Sequence, residues 1–174
     1  HLDLLSSIAT GDGTLLDAMC AFVFQSFRGV IPFEQVSVAL IEGTPPVVRL
    51  RWQRSELPGP SPPLGYHVPL AETSLDRVAE TGRPRILNDL EGYLESRPES
   101  ISTRRAVDQG VRSSLTCPLI IRGHTHGFVF FSSGRPHTYR GQHMHAFERI
   151  AHDLARVVEH STDSDTLSPA ATAR

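Results

Sequence analysis

The sequence has little cysteine, no long apolar run and no marked excess of either charge. Two cysteines among 174 residues are too few for a disulfide framework and favour a reducing, cytoplasmic compartment. No apolar run approaches the roughly 20 residues that span a bilayer, and no signal-peptide pattern is present, so we expect no membrane contact from this segment. A formal net charge of −2 gives no general reason to expect nucleic acid as a partner.

The length predicts one domain with extensions at both ends. A chain of 174 residues fits a single domain, and because it begins at His1 rather than Met we expect a piece of a longer protein. We expect an N-terminal helical or linker segment over 1–13 and a single domain over 14–160. The residues over 161–174 have little to bury and are expected to form a flexible tail or a linker to an effector domain.

Two long helices are predicted near the ends of this domain. After the break at Gly11–Gly13, Thr14 followed by Asp17 resembles a capping box, and apolar residues at steps of three and four continue until Gly29. A similar apolar stripe predicts the last helix over Gln142–His160. Both stripes are long enough to cover a sheet and leave some surface for a partner helix, so we expect a homodimer through these helices.

The centre of a sheet is expected near the end of the domain. Strands are predicted over Arg112–Ile121 and Gly127–Ser133, joined by the polar turn Arg122–His126, and both are apolar on both faces. Such a hairpin needs cover on each side. Further strands are predicted over Val36–Ile41 and Val47–Arg54, the second of which alternates with polar residues and is expected at a sheet edge.

The middle of the chain contains short elements separated by proline and glycine. Ser55–Gly65 is rich in proline and predicts a loop. A helix that begins after Thr73 or Ser74 is expected to end at Gly82. The remaining expectations are a short strand over Arg85–Asn88, an ambiguous polar stretch over Asp89–Glu99 and a helix over Ser102–Gln109 that ends at Gly110.

The hairpin region resembles a known family. The run Gly110–Ser133 reads G-V-R-S-S-L-T-C-P-L-I-I-R-G-H-T-H-G-F-V-F-F-S-S, which is similar to the signature hairpin of GAF domains. That pattern is Gly-hydrophobic-Arg-Ser, a hydrophobic strand with a Pro, a short turn, a Gly and a second hydrophobic strand. The resemblance extends from about Leu15 to about His160.

The resemblance implies an α+β fold that is GAF-like and PAS-related. In this fold a central antiparallel sheet of five or six strands carries the terminal helices on one face. Lid loops and short helices, here Pro58 to Gln109, cover the other face.

The resemblance also implies a non-catalytic sensory domain of a larger signal-transduction protein, such as a sensor histidine kinase of a two-component system. Such a domain would bind a small molecule under the lid and relay the event through the terminal helices. The alternative is a dimerisation and spacer module with no physiological ligand. A filled pocket distinguishes these two functions.

If the family geometry holds, the lid and the facing side of the sheet supply aromatic, polar and charged groups to the pocket. The candidate ligand-binding residues are Trp52, Tyr66, Asp89, Tyr93, Arg105, Arg112, Ser114, Thr116 and Cys117. Ser114 and Thr116 alternate with Cys117, so one set faces the pocket and the other faces the helices. Trp52 could equally cover the sheet edge, and Asp89 could cap the next helix.

Other chemistry is not favoured. The pairs His124/His126 and His143/His145 lack the three or four closely spaced ligands of a zinc site, so we expect no metal. No serine or cysteine pairs with a histidine and an acid at catalytic spacing.

The resemblance allows the motifs for known GAF cofactors to be sought in this sequence. None of them identifies a ligand, which stays unknown. Covalent bilin attachment would need a cysteine in Glu99–Thr103, which has none. Cyclic nucleotide is not favoured because an Asn-Lys-x-Phe-Asp-Glu run is missing. Free methionine sulfoxide reductases of this fold need a group of cysteines around the pocket, and only Cys117 is a candidate here.

Overall fold

The computed structural model describes residues 15–172, with side chains described up to residue 160. The segment predicted over 1–13 and the cap predicted at Thr14 lie outside the described residues. The elements in chain order are α1 (Leu15–Ser26), β1 (Gln35–Glu42), β2 (Val47–Ser55), β3 (His67–Pro69), a 3-10 turn (Leu70–Glu72), α2 (Leu75–Thr81), β4 (Arg85–Leu87), α3 (Leu90–Ser96), α4 (Ile101–Gln109), β5 (Ser113–Ile121), β6 (His124–Ser133) and α5 (Gly141–Thr172).

The strands form one six-stranded antiparallel sheet in the order β3-β2-β1-β6-β5-β4. The expected α+β architecture with a central antiparallel sheet is therefore confirmed. The β5–β6 hairpin lies within the sheet, as its two apolar faces require. Its turn is shorter than predicted, because His124 and His126 belong to β6. Arg122 and Gly123 alone turn the chain, both with positive φ (52° and 81°), which matches the twist of the strands they join.

The predicted edge position of β2 is wrong. The short strand β3 pairs with it, with Val47 opposite Pro69 and Arg49 opposite His67, so β3 forms this edge of the sheet. A proline is tolerated there because an edge strand has one side without sheet partners.

The two terminal helices, α1 and α5, cover one face of the sheet and pack against each other. We call this the helix face. Its core contains Val23, Phe24, Leu115, Cys117, Phe131, Phe147 and Leu154. Helix α5 continues to Thr172 rather than ending at His160 as predicted. The role of 161–174 as a linker stays a prediction.

The opposite face, which we call the lid face, is covered by the proline-rich loop and the short helices α2 to α4. A second, smaller core forms there from Ala39, Val48, Leu70, Val78 and Phe128. The predicted helix end at Gly82 is confirmed, with φ of 64°, and so is the end at Gly110, with φ of 107°. The polar stretch after β4 becomes α3 because the Asp89 carboxylate accepts a hydrogen bond from Gly92 N at 3.0 Å.

A β-bulge at Arg51 changes which face the end of β2 presents. Val38 lies opposite Trp52, but the next residue, Ala39, lies opposite Leu50, so Arg51 has no partner in the pairing. Side chains alternate between the faces of a strand. The extra residue therefore places Leu50 on the lid face and Trp52 on the helix face.

None of the helices within the described part of the chain is long and apolar enough to cross a bilayer.

Candidate functional site

A cavity of about 210 Å³ lies between the lid face of the sheet and the short helices. Strands β1, β2, β4, β5 and β6 supply its floor, and the proline-rich loop, α2, α3 and α4 supply its roof. The floor includes Gln35, Ser37, Ala39, Leu50, Gln53, Arg85, Ser114, Thr116, Phe130 and Ser132. The roof includes Pro62, Tyr66, Ser74, Leu90, Ser102, Thr103, Arg105, Ala106 and Gln109.

The wall combines an apolar surface with many hydroxyl groups and a few stronger polar groups. Its only charged side chains, counted over the residues that the structure describes, are the arginines Arg85 and Arg105. The same count finds no cysteine in the wall. A small number of polar groups converging on an apolar cavity is typical of a site for a small organic molecule.

Arg85 is a charged residue of this site that the sequence analysis did not single out. Its Nη1 donates to Ser74 Oγ at 2.7 Å and to Ser74 O at 3.3 Å. Its Nε is buried and has no hydrogen-bond acceptor. Desolvation lowers the pKa of Arg85, and the nearby positive charge of Arg97 acts in the same direction. One arginine in a three-residue strand carries no local signal of this environment, because the environment is made by distant segments.

Gln35 supplies a second buried polar atom without a partner. Its side chain is 5% exposed and lines the cavity, and its Oε1 accepts no hydrogen bond. Leaving such an atom unsatisfied costs about 1–3 kcal/mol, so native structures rarely contain one without a reason. Two residues of the cavity wall therefore each carry a buried polar atom without a partner, the donor Arg85 Nε and the acceptor Gln35 Oε1.

The predicted residues Tyr66 and Arg105 both line the cavity and contact each other. The guanidinium of Arg105 lies 4.3 Å from the centroid of the Tyr66 ring, which is a cation–π contact. The pair forms part of the roof. Whether either residue binds a ligand stays a prediction.

The alternation along β5 is resolved in favour of the hydroxyl residues. Ser114 and Thr116 line the cavity, whereas Cys117 is 1% exposed in the core of the helix face. Burial raises the pKa of Cys117 to about 12, so its thiol is neutral at ordinary pH and unsuited to nucleophilic chemistry. The expectation that Cys117 contributes to the pocket is corrected.

The prediction that Trp52 lines the pocket is also corrected, because the bulge at Arg51 turns its side chain to the other face of the sheet. The ring packs against the core of the helix face, on the side of the sheet opposite the cavity. The alternation of Val48, Leu50 and Trp52 along the sequence predicted that all three lie on one face of the sheet. In the structure only Val48 and Leu50 lie on the lid face.

Three further candidates, Asp89, Arg112 and Tyr93, lie outside the cavity wall. Asp89 is exposed and caps α3. Arg112 donates from Nη1 to the backbone oxygens of Val107 and Val111, both at 3.0 Å, and pairs with Glu91 at 3.1 Å. Its guanidinium is therefore engaged in joining the end of α4 to α3, which leaves little capacity to bind an anion.

Tyr93 belongs to an adjoining surface pocket of about 490 Å³. This pocket shares Ser74, Arg85 and Leu87 with the cavity. It also contains Arg77, Arg83 and Arg97, the last of which lies 5.2 Å from the Tyr93 ring centroid. We call it the arginine pocket, because four arginines contribute to it.

No group of three or more histidine, cysteine, aspartate or glutamate side chains is arranged to hold a metal ion in the part of the chain that the structure describes. His124 and His126 extend from β6 at the hairpin end.

The chain matches a known protein family. The family model described as GAF domain matches residues 14–159 of this chain. A comparison with curated protein sequences finds no match.

Solved structures share the fold at low sequence identity. The chain is similar to the GAF domain of a two-component sensor histidine kinase from Bacillus halodurans, with a TM-score of 0.70, 11% identity, and coverage of 84% of this chain and 95% of that chain. It is similar to the GAF domain from a phosphoenolpyruvate-protein phosphotransferase of Coxiella burnetii, with a TM-score of 0.70, 15% identity, and coverage of 94% and 93%. It is also similar to a free methionine-R-sulfoxide reductase from Neisseria meningitidis in complex with its substrate, with a TM-score of 0.64, 15% identity, and coverage of 92% and 87%.

Proposed function

This chain belongs to the GAF domain family, and from that premise we propose that it is the regulatory sensory domain of a larger signalling protein and binds a small molecule beneath its lid. The observation that carries the proposal is the cavity with a free buried donor at Arg85 Nε and a free buried acceptor at Gln35 Oε1. We propose that a bound polar molecule supplies a partner to one of these atoms, for which the described residues supply none.

The relay that we propose begins at β5. Along this strand Ser114 and Thr116 line the cavity, while Leu115 and Cys117 lie in the core that contacts α5. A ligand that displaces the strand therefore acts directly on α5 through the other face. Helix α5 continues to Thr172 and is suited to carry the change onward to an effector domain. The Bacillus halodurans neighbour belongs to a two-component sensor histidine kinase, and we propose a comparable context here.

We propose that the domain is not catalytic. The Neisseria meningitidis neighbour is a free methionine-R-sulfoxide reductase of the same fold. In this chain both cysteines, Cys20 and Cys117, are buried in the core of the helix face and not in the cavity wall. Burial raises the pKa of both thiols, which disfavours a thiolate.

The alternative function is a dimerisation and spacer module. Four partly buried apolar side chains of α1 and α5 favour it as a second candidate: Leu16, Met19, Met144 and Ala146. A partner helix could cover them in a homodimer. In this alternative the cavity stays empty in the working protein.

The test is native mass spectrometry of the purified domain against its denatured mass. We expect a non-covalent adduct carried from the expression host. Ala106→Phe fills the cavity from α4 and should abolish the adduct. The matched control is Arg104→Phe on the same helix, whose side chain is exposed and outside the cavity wall, and which should retain the adduct. A clean, unliganded dimer in wild type and both variants would favour the spacer module.

A further inference from the structure

We propose that the ligand of the cavity is a small organic oxyanion, a carboxylate or a phosphate ester, held at its charged end by Arg85 and admitted through the arginine pocket. This inference rests on the proposed function, because it names the chemistry of a ligand in the same cavity.

The first observation is the sign of the charge around Arg85. The formal net charge of the chain is −2, yet the arginine pocket contains Arg77, Arg83, Arg85 and Arg97, and none of the described residues in it is acidic. Concave surfaces lined by one sign of charge concentrate ions of the opposite sign. An anion is therefore the ligand that this entrance favours.

The second observation is that, among the described residues, the arginines of the arginine pocket lack the glutamate partners that five other arginines have. Five other arginines of the chain each pair with a glutamate: Arg28 with Glu56, Arg49 and Arg51 with Glu42, Arg112 with Glu91, and Arg122 with Glu159. No described carboxylate lies within ion-pair distance of any arginine in the arginine pocket. Their charges are thus left available to a ligand.

The third observation is how Arg85 is held. Its Nη1 is fixed by Ser74 at 2.7 Å and 3.3 Å, and its Nε has no acceptor. Arg85 lies opposite Thr116 in the pairing of β4 with β5, and Thr116 also lines the cavity. A guanidinium anchored at one nitrogen is preorganised, and the oxygens of a carboxylate or a phosphate match its remaining donors.

Other ligand classes fit this arrangement less well. A cation would meet two arginines in the cavity wall with no described carboxylate to offset them. A neutral molecule would leave the Arg85 charge partly desolvated and without a counter-charge, a condition already reflected in its lowered pKa. An anion offsets that cost, because its charge stabilises the ionised guanidinium.

The experiment follows the Arg85 Nε–H signal and the backbone amides of the ¹⁵N-labelled domain by NMR. The probes are sodium acetate, sodium phosphate and acetamide, each added at constant ionic strength. We expect acetate or phosphate to shift the Arg85 Nε–H and Thr116 signals saturably in the millimolar range, and acetamide to leave them unchanged. The anion that saturates identifies the headgroup as a carboxylate or a phosphate.

Arg85→Gln keeps a polar side chain with a donor N–H but removes the charge. We expect it to weaken binding of the anion by about tenfold or more, the worth of one charged hydrogen bond. Arg104→Gln is the matched control, since this lid arginine lines neither the cavity nor the arginine pocket, and its affinity should equal that of wild type. Arg85→Gln should also melt at the same or a higher temperature without ligand, which a purely structural arginine would not allow.

Three results would overturn the oxyanion and leave the proposed function standing. The first is a shift of the cavity amides by acetamide as large as that by acetate, unaffected by Arg85→Gln. The second is a neutral host-derived adduct in the native mass spectrum together with an insensitive Arg85 signal. The third is a non-saturating shift spread over many arginines, which would mean non-specific ion binding. If neither an adduct nor any response to the probes is observed, both proposals are overturned.

Discussion

The side-chain amide of Asn88 is bound to the backbone of Tyr139 by two hydrogen bonds. Nδ2 donates to Tyr139 O at 2.8 Å, and Oδ1 accepts from Tyr139 N at 3.1 Å. The backbone oxygen of Asn88 also accepts from His137 N at 2.8 Å. The loop before α5 is therefore attached directly after β4, the strand that carries Arg85. This attachment joins the lid side of the molecule to the helix that we propose as its output.

Removal of this amide should destabilise the domain. Asn88→Ala leaves the backbone N–H and C=O of the buried Tyr139 without these partners, so we expect the free energy of unfolding to fall by about 1–3 kcal/mol. Urea denaturation measures the change. Ser96→Ala, which removes an exposed side-chain hydrogen bond to Tyr93 O, is the control and should have little effect. A fall in unfolding free energy for Asn88→Ala as small as that for Ser96→Ala would show that the Asn88 contact does not stabilise the domain.

A methyl group at Gly59 should displace the proline-rich loop from the lid. A Cβ there would overlap the backbone of Asp108 and Gln109, and Gly59 N donates to Gln109 O at 3.0 Å. We expect Gly59→Ala to lower the free energy of unfolding by about 1–3 kcal/mol, as overpacking does. Gly29→Ala is the matched control, because nothing lies within 4 Å of its added Cβ. Urea denaturation of both variants is the measurement, and an unchanged Gly59→Ala midpoint would contradict the close approach.

Trp52 should matter for stability and not for binding. It packs on the helix face, so Trp52→Ala should cost about 1–3 kcal/mol of unfolding free energy, less than a fully buried aromatic residue. Its affinity for the probe anion should equal that of wild type in the NMR titration. Tyr66→Ala, which alters the cavity roof, should change that affinity. A loss of binding in Trp52→Ala comparable to that in Tyr66→Ala would contradict the side of the sheet assigned to Trp52.

The buried thiol of Cys117 should make the protein less stable in alkali. Burial raises its pKa from 9.0 to about 12, so between these values the unfolded chain loses the proton and the folded protein keeps it. The unfolded state is then favoured as pH rises, and stability that is complete below pH 9 falls toward pH 12. One such group contributes a slope of up to about 1.4 kcal/mol per pH unit.

Urea denaturation of wild type and Cys117→Ala at several pH values between 8 and 11 measures this contribution. Cys20 and Tyr139 have raised pKa values too, so the variant should keep part of the slope. The difference between the two proteins isolates Cys117. Parallel curves would show that this thiol titrates alike in the folded and unfolded states.

Local sequence signals determined most of the helices and strands and, with them, the α+β class of the fold. The apolar spacing of α1 and α5, the helix ends at Gly82 and Gly110 and the doubly apolar hairpin are short-range patterns. Each records a backbone preference or a buried face that operates within a few residues. Together they predicted an α+β domain whose hairpin needs cover on both sides, and the resemblance to GAF domains supplied the division of the sheet into a helix face and a lid face.

Only the tertiary structure decided which side chains meet in the cavity. Successive residues of a strand face opposite ways, so the single bulged residue Arg51 moved Trp52 to the other face, and the same alternation assigned Cys117 to the core. Arg85 became a candidate because no described carboxylate lies within ion-pair distance of its guanidinium. The charge balance around a side chain depends on residues far along the chain, and no local pattern contains it.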